Sequence, residues 1–288
     1  MSTEFFGKTL SGPFTIPSGI VSTAVPIIQY VFDHMPEVGV LTTKSIGLEP
    51  RAGYREPILS QYAPGCFVNA VGLTNPGAHK SAELMAQLRV PEDRFLLTSI
   101  FGGSIAEFVE VAKIMAPVSD GLELNLSCPH AKGYGMAMGQ DPDMVREIVS
   151  AVKAVVDIPV IPKLTPNTPD IAIIARAAEA GGADGFCAVN TVVPGYTSAH
   201  GQPVLSNGAG GMSGKGILPI GLKCVKEVRE ASSLPIIGCG GVSSADDVRA
   251  FADAGANIIG VGSSLIGMTT DEIGEYFRTL AADLERGN

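Results

Sequence analysis

Four groups of residues in this sequence can do chemistry, and most of them stand just after a short apolar run. Gly238-Cys239-Gly240-Gly241-Val242 and Gly260-Val261-Gly262-Ser263-Ser264 are glycine-rich turns. Backbone N–H groups there can close around a phosphate, because no Cβ keeps the anion away. Taken alone they equally fit ordinary strand-to-helix turns. Lys44 and Lys163 each end an apolar run. An ammonium so placed suits a phosphate, a ring edge that gains negative charge on reduction, or a Schiff-base role. Asn69, Asn75, Asn125, Asn167 and Asn190 offer donors and acceptors without charge, which matches a ring of alternating C=O and N–H groups, although asparagine also forms turns. Cys128 lies between Ser127 and Pro129, past a run rather than inside one, with His130 two residues on. A thiol with a pKa of about 8.5 serves as a base when its surroundings favour the thiolate, and an imidazole that close can tune it or touch a ligand.

The other cysteines have weaker claims. Cys187 falls within an apolar run and Cys224 on a helical stretch, both read as core packing; Cys66 and Cys239 lie near loops. The five cysteines contain no C-x2-C pair, and histidines 34, 79, 130 and 200 show no metal spacing. The reading is therefore no disulfide framework, no metal site and a reducing cytoplasm.

The elements that must position these residues follow from hydrophobic patterning. Unbroken Val/Ile/Leu runs suit strands buried on both faces, as in a parallel sheet. Eight occur, at 14–19, 39–44, 95–101, 121–126, 158–164, 185–190, 234–239 and 257–262. Between them, Asp141-Pro142 opens a helix over 142–156, Thr168-Pro169-Asp170 one over 170–181, and Ser243-Ser244 one over 245–254. Eight strands alternating with helices predict an α/β fold, a (β/α)8 TIM barrel, whose chemistry sits at the C-terminal strand ends. Intervals 45–94 and 191–233 are longer than one helix needs, so they are expected to build part of the site.

At 288 residues with 45% apolar composition, one core suffices, and residues 1–288 are read as one domain. The net charge of −9 argues against nucleic acid as a partner. The apolar stretch Phe14 to Phe32 is interrupted by Pro17, Gly19, Ser22, Pro26 and Gln29, so neither a membrane anchor nor a targeting signal is expected.

Several segments together resemble the dihydroorotate dehydrogenase family, class 1, and within it the branch called 1B. They are Thr43-Lys44-Ser45, Leu48-Glu49-Pro50-Arg51, Asn69 to Gly77, Asn125-Leu126-Ser127-Cys128-Pro129, Lys163 to Asn167, Asn190-Thr191, Gly211-Met212-Ser213-Gly214, Gly240-Gly241 and Gly262-Ser263. The resemblance implies FMN held by Ser18, Lys44, Ser45, Ser99, Asn125, Lys163, Val189, Gly214, Gly240, Gly241, Gly262 and Ser263. It implies dihydroorotate or orotate held by Lys44, Asn69, Ala70, Val71, Gly72, Leu73, Asn125, Asn190 and Thr191; His130, by its place two residues from Cys128 rather than by the resemblance, is taken as a further contact. Cys128 would take the C5 proton while hydride leaves C6 for flavin N5. A homodimer core and a second subunit carrying FAD and a [2Fe–2S] centre, feeding NAD+, are also implied.

One position departs from the family. Class 1 members usually carry asparagine after Cys-Pro, where this chain has His130. The segment Ser127 to His130, with Gly139-Gln140-Asp141, is also similar to dihydropyrimidine dehydrogenase, but Met138 stands where that family has its catalytic cysteine. A related dihydropyrimidine substrate, a non-redox phosphate-binding lyase or isomerase, and a flavin barrel without catalysis are the alternative readings.

Overall fold

The structure, a computed structural model, is described over residues 3–21, 24–126 and 136–286. All eight expected strands form. They are β1 (Phe14–Ile16), β2 (Val38–Thr42), β3 (Phe95–Ile100), β4 (Gly121–Asn125), β5 (Val160–Leu164), β6 (Phe186–Ala188), β7 (Ile236–Cys239) and β8 (Ile258–Gly260). Each pairs in parallel with its neighbours in chain order, and β8 returns to β1, closing the barrel. Every residue of β2 and β3 is buried, which is why these strands read as continuous apolar runs rather than as alternation.

Several strands stop short of the apolar runs that announced them. Those ending at Ile16, Thr42 and Ala188 leave Ser18, Lys44 and Asn190 outside the ladder, where their side chains turn to the barrel mouth. The helix expected over 142–156 ends at Lys153, and those after it span Ile171–Ala180 and Ala245–Asp253. Asp141 accepts from Asp143 N and Met144 N, and Asp170 from Ala172 N and Ile173 N. These caps satisfy N–H groups that the first helical turn cannot pair itself. The stretch Phe14 to Phe32 divides into β1 and a helix, Val25–His34. Among the described residues no helix is long and apolar enough to cross a membrane.

Two cores result. The larger fills the space between strands and helices around Phe14, Phe108, Phe186, Phe251 and Phe277. The smaller lies inside the barrel, where Val40, Leu97, Ile161, Cys187 and Ile237 meet Phe5 and Leu10. Phe5 and Leu10 come from a hairpin, Thr3–Phe5 with Lys8–Leu10, that closes the barrel at its N-terminal end.

The two long intervals build one object. Leu59–Ala63 and Cys66–Asn69 from the first, with Val192–Gly195 and Gly210–Gly214 from the second, form a four-stranded antiparallel sheet over the mouth. Its central seam pairs Gly211 with Asn69 and Gly214 with Cys66. Asn69 Nδ2 also donates to Gly211 O at 3.4 Å.

Candidate active site

Between the C-terminal strand ends and this covering sheet lies a cavity of about 560 Å³. That is within the ordinary range for small-ligand and cofactor sites. Its floor comes from strand ends, its roof from the sheet, and one flank is apolar through Ile20, Val21, Leu265, Ile266 and Met268.

A chain of hydroxyls and amides runs around the rim. Ser45 Oγ lies 3.1 Å from Ser18 Oγ and 2.9 Å from Ser99 Oγ, and accepts from Asn125 Nδ2 at 3.0 Å. Asn190 Nδ2 in turn donates to Asn125 Oδ1 at 3.4 Å. Residues at the ends of β1, β2, β3, β4 and β6 are thereby fixed relative to one another. Ser99 is wholly buried and does not line the cavity; it buttresses Ser45 from behind.

Both lysines reach the cavity, so neither is a solvated surface lysine. Lys163 is buried, and its Nζ stands 3.7 Å from Glu123 Oε1, whose residue is 1% exposed. Burial works most strongly against the ammonium, but Glu123, followed by Cys187 and Cys239, together outweigh it and hold the Lys163 pKa above its ordinary value. Glu123 was missed in the sequence. The available signal was strand parity: Glu123 and Asn125 are two apart on β4 and face the same side.

Opposite the lysines, Gly240 (φ 142°), Gly241 (φ 85°) and Gly214 (φ 85°) hold backbone conformations that suit glycine. A Cβ on Gly241 would come within 2.7 Å of Gly214 O, and one on Gly214 within 2.0 Å of Gly65 O. Here the chain packs backbone on backbone, with Gly262 and Ser263 completing that side of the cavity.

The remaining expected residues divide cleanly. Ser18, Lys44, Ser45, Asn69, Val71, Gly72, Leu73, Asn125, Lys163, Val189, Asn190, Thr191, Gly214, Gly240, Gly241, Gly262 and Ser263 all line the cavity. Ala70 does not; it packs with Val68 and Leu205 under the covering sheet. Asn75 and Asn167 are loop staples rather than mouth residues. Asn75 Oδ1 accepts from Gly47 N and Gly77 N, while Asn167 binds Thr165 Oγ1, Thr191 O and Val193 N. Cys239, expected near a loop, is the buried last residue of β7 and lines the cavity floor. Its Sγ donates to Val189 O at 3.3 Å and lies 3.8 Å from Cys187 Sγ. Cys66 opens a strand of the covering sheet. Cys187 and Cys224 are core residues, as expected. Cys128 and His130 lie outside the described residues; Met138 is described, half-buried against the larger core.

The residues present fit a flavin nucleotide. Glycines allow backbone to approach a phosphate, two ammonium groups and the Asn125 amide suit a polar ring edge, and the apolar flank suits a hydrophobic ring end. Among the described residues no three His, Cys, Asp or Glu side chains gather as a metal site.

Fold and mouth together define a (β/α)8-barrel enzyme that holds its ligand over the C-terminal strand ends. The model of the family described as dihydroorotate dehydrogenase matches residues 1–277. The chain is 43% identical over 266 residues to the dihydroorotate dehydrogenase B (NAD(+)) catalytic subunit of Pyrococcus horikoshii, covering 92% of this chain and 86% of that one. To the proteins of the same description from Pyrococcus abyssi and Methanocaldococcus jannaschii it is 41% and 40% identical, covering 92% of this chain and 87% of each of theirs. The chain belongs to the dihydroorotate dehydrogenase family, whose members are flavin-dependent oxidoreductases. That membership removes the lyase and isomerase readings.

Proposed function

We propose that this chain binds FMN in the cavity and oxidises dihydroorotate to orotate, as the catalytic subunit of an NAD+-linked dihydroorotate dehydrogenase. The observation that carries this reading is the convergence of Lys44, Lys163, Asn125 and Asn190 with the Gly240-Gly241 and Gly262-Ser263 turns on one cavity. Gly240, Gly241, Gly262 and Ser263 would hold the phosphate, and Lys44, Lys163 and Asn125 the polar ring edge, backed by Ser18, Ser45, Ser99, Val189 and Gly214. Asn69, Val71, Gly72, Leu73, Asn190 and Thr191 would hold the substrate's amide and carboxylate groups, with His130 as a further contact. Bound FMN would supply the acceptor for the hydride leaving C6.

Cys128 is the base in this proposal, taking the C5 proton. Its support is its place after β4 and the family segment Asn125 to Pro129. Lys44 and Lys163 bring positive charge to a site that must receive electrons and an anionic substrate. Positioned proton removal contributes about 10²–10⁴-fold. Replacement Cys128→Ala should therefore lower dye-coupled dihydroorotate oxidation by at least about 10²-fold at unchanged FMN content; turnover near that of the parent protein would remove Cys128 from the role.

We further propose a homodimer core and a second subunit carrying FAD and a [2Fe–2S] centre as the route to NAD+. The relatives' description as "catalytic subunit" supports the second subunit. Purification from the native source should yield such a partner; a homodimer containing FMN alone would count against it.

A further inference from the structure

The Lys163–Glu123 pair is unusual in where it is placed. Glu123 comes from the middle of β4 and points into the barrel interior, above the apolar layer closed by Phe5 and Leu10. Its Oε1 is buried and has no hydrogen-bond partner. The Lys163 ammonium, at 3.7 Å, is its ion-pair partner among the described residues. A buried carboxylate with so little compensation adds little stability over a well-packed apolar residue, so its presence calls for another reason.

The surroundings of Lys163 narrow that reason. Asn125 and Cys187 flank it in register on β4 and β6, and Cys239 faces it from β7. Asn125 carries no charge. Cys239 donates its thiol proton to Val189 O, and the Cys187 thiol is pushed well upward by its hydrogen bond with Cys239 and by burial. Cys187 is thus a neutral neighbour, the Cys239 thiol is held below its ordinary value by its hydrogen bond with Cys187 and, against burial, by Lys163, and Lys44 brings positive charge to the same cavity. Glu123 is the carboxylate beside it and the first of the opposing groups that keep the buried ammonium protonated, ahead of the two thiols. Without it, desolvation would be opposed only by the two thiols.

We propose that Glu123 is a positioning residue for the reaction: its buried carboxylate keeps Lys163 charged at the cavity floor, so the ligand seated there meets a permanent cation. This rests on the reading of the cavity as a flavin site, since the cation matters most to a ring that gains negative charge on reduction.

Two readouts test it separately. The first follows the [13Cε]lysine NMR resonance of Lys163, assigned with Lys163→Met, in the full chain with and without FMN. The parent protein should show no titration of Lys163 up to about pH 10, the ordinary lysine value. In Glu123→Gln the midpoint should fall by about 2–4 units, as for buried lysines without a counter-charge, and Glu123→Asp should restore most of the loss. The second is the midpoint potential of bound FMN against pH. It should gain an extra break in Glu123→Gln at the new Lys163 midpoint, which a merely structural role would not produce. An unshifted Lys163 in Glu123→Gln overturns the proposal. Should that variant not fold, the parent protein decides alone: titration of Lys163 below about pH 9 overturns it. A chain that takes up no FMN while Lys163 behaves as expected would instead fault the flavin reading and leave the Glu123–Lys163 linkage supported.

Discussion

Gly241 shows how much a site can depend on the absence of a side chain. Its φ of 85° and the 2.7 Å approach of a would-be Cβ to Gly214 O combine two penalties in one position. A left-handed alanine costs on the order of 1–2 kcal/mol before any clash. Gly241→Ala should therefore weaken FMN binding by at least about 10-fold, read by fluorescence titration of the flavin-free protein, with little loss of helix content by circular dichroism. Unchanged affinity would place the phosphate elsewhere. At this scale the sequence was most legible where a polar residue ended an apolar run, as at Lys44, Lys163, Asn125 and Asn190. It was least legible for Glu123, because a carboxylate within a strand reads as solvent-facing until barrel closure turns its side inward. Asn75 and Asn167 show the opposite error. Their composition suited a ligand edge, but local backbone N–H groups needed acceptors, and the nearest amides supplied them.

The strand ends are joined by hydrogen bonds as well as by the barrel's own ladder. Ser45 touches Ser18, Ser99 and Asn125 at once, so it ties β1, β2, β3 and β4 together just below the cavity. Ser45→Ala leaves the buried Ser99 hydroxyl and the Asn125 amide each short of a partner. The expected cost is about 1–3 kcal/mol, measurable by urea unfolding of the flavin-free protein, and FMN affinity should fall with it because Asn125 loses one of its restraints. Stability and affinity both unchanged would mean that water replaces the hydroxyl without loss. Elements were legible in the sequence to this extent: all eight strands and three helices appear where patterning and capping put them. Most of their C-terminal ends moved inward by one to a few residues, since hydropathy marks burial, and the residues that line the mouth are partly buried without pairing in the ladder.

The covering sheet belongs to the whole molecule. Its strands are contributed by segments more than a hundred residues apart, Cys66–Asn69 and Gly210–Gly214. Interval length exposed both excursions in the sequence, but nothing local could reveal that they pair with each other, because register between distant strands is set only once the barrel brings them together. The seam is tight: a Cβ on Gly210 would lie 2.3 Å from Asn69 O. Gly210→Ala should part the two strands and shift Asn69, raising KM for dihydroorotate by about 10-fold or more while FMN content holds. Equal losses of FMN and substrate affinity would show that the sheet and barrel respond as one body. Flavin, substrate and activity must coincide in this one cavity. Anaerobic titration of the FMN-loaded chain with dihydroorotate, dihydrouracil and dihydrothymine, following the flavin's visible absorbance, tests all three together. Rapid, stoichiometric bleaching by dihydroorotate with little by the other two is the expected result; bleaching by dihydrouracil in preference, or none by dihydroorotate, would contradict it.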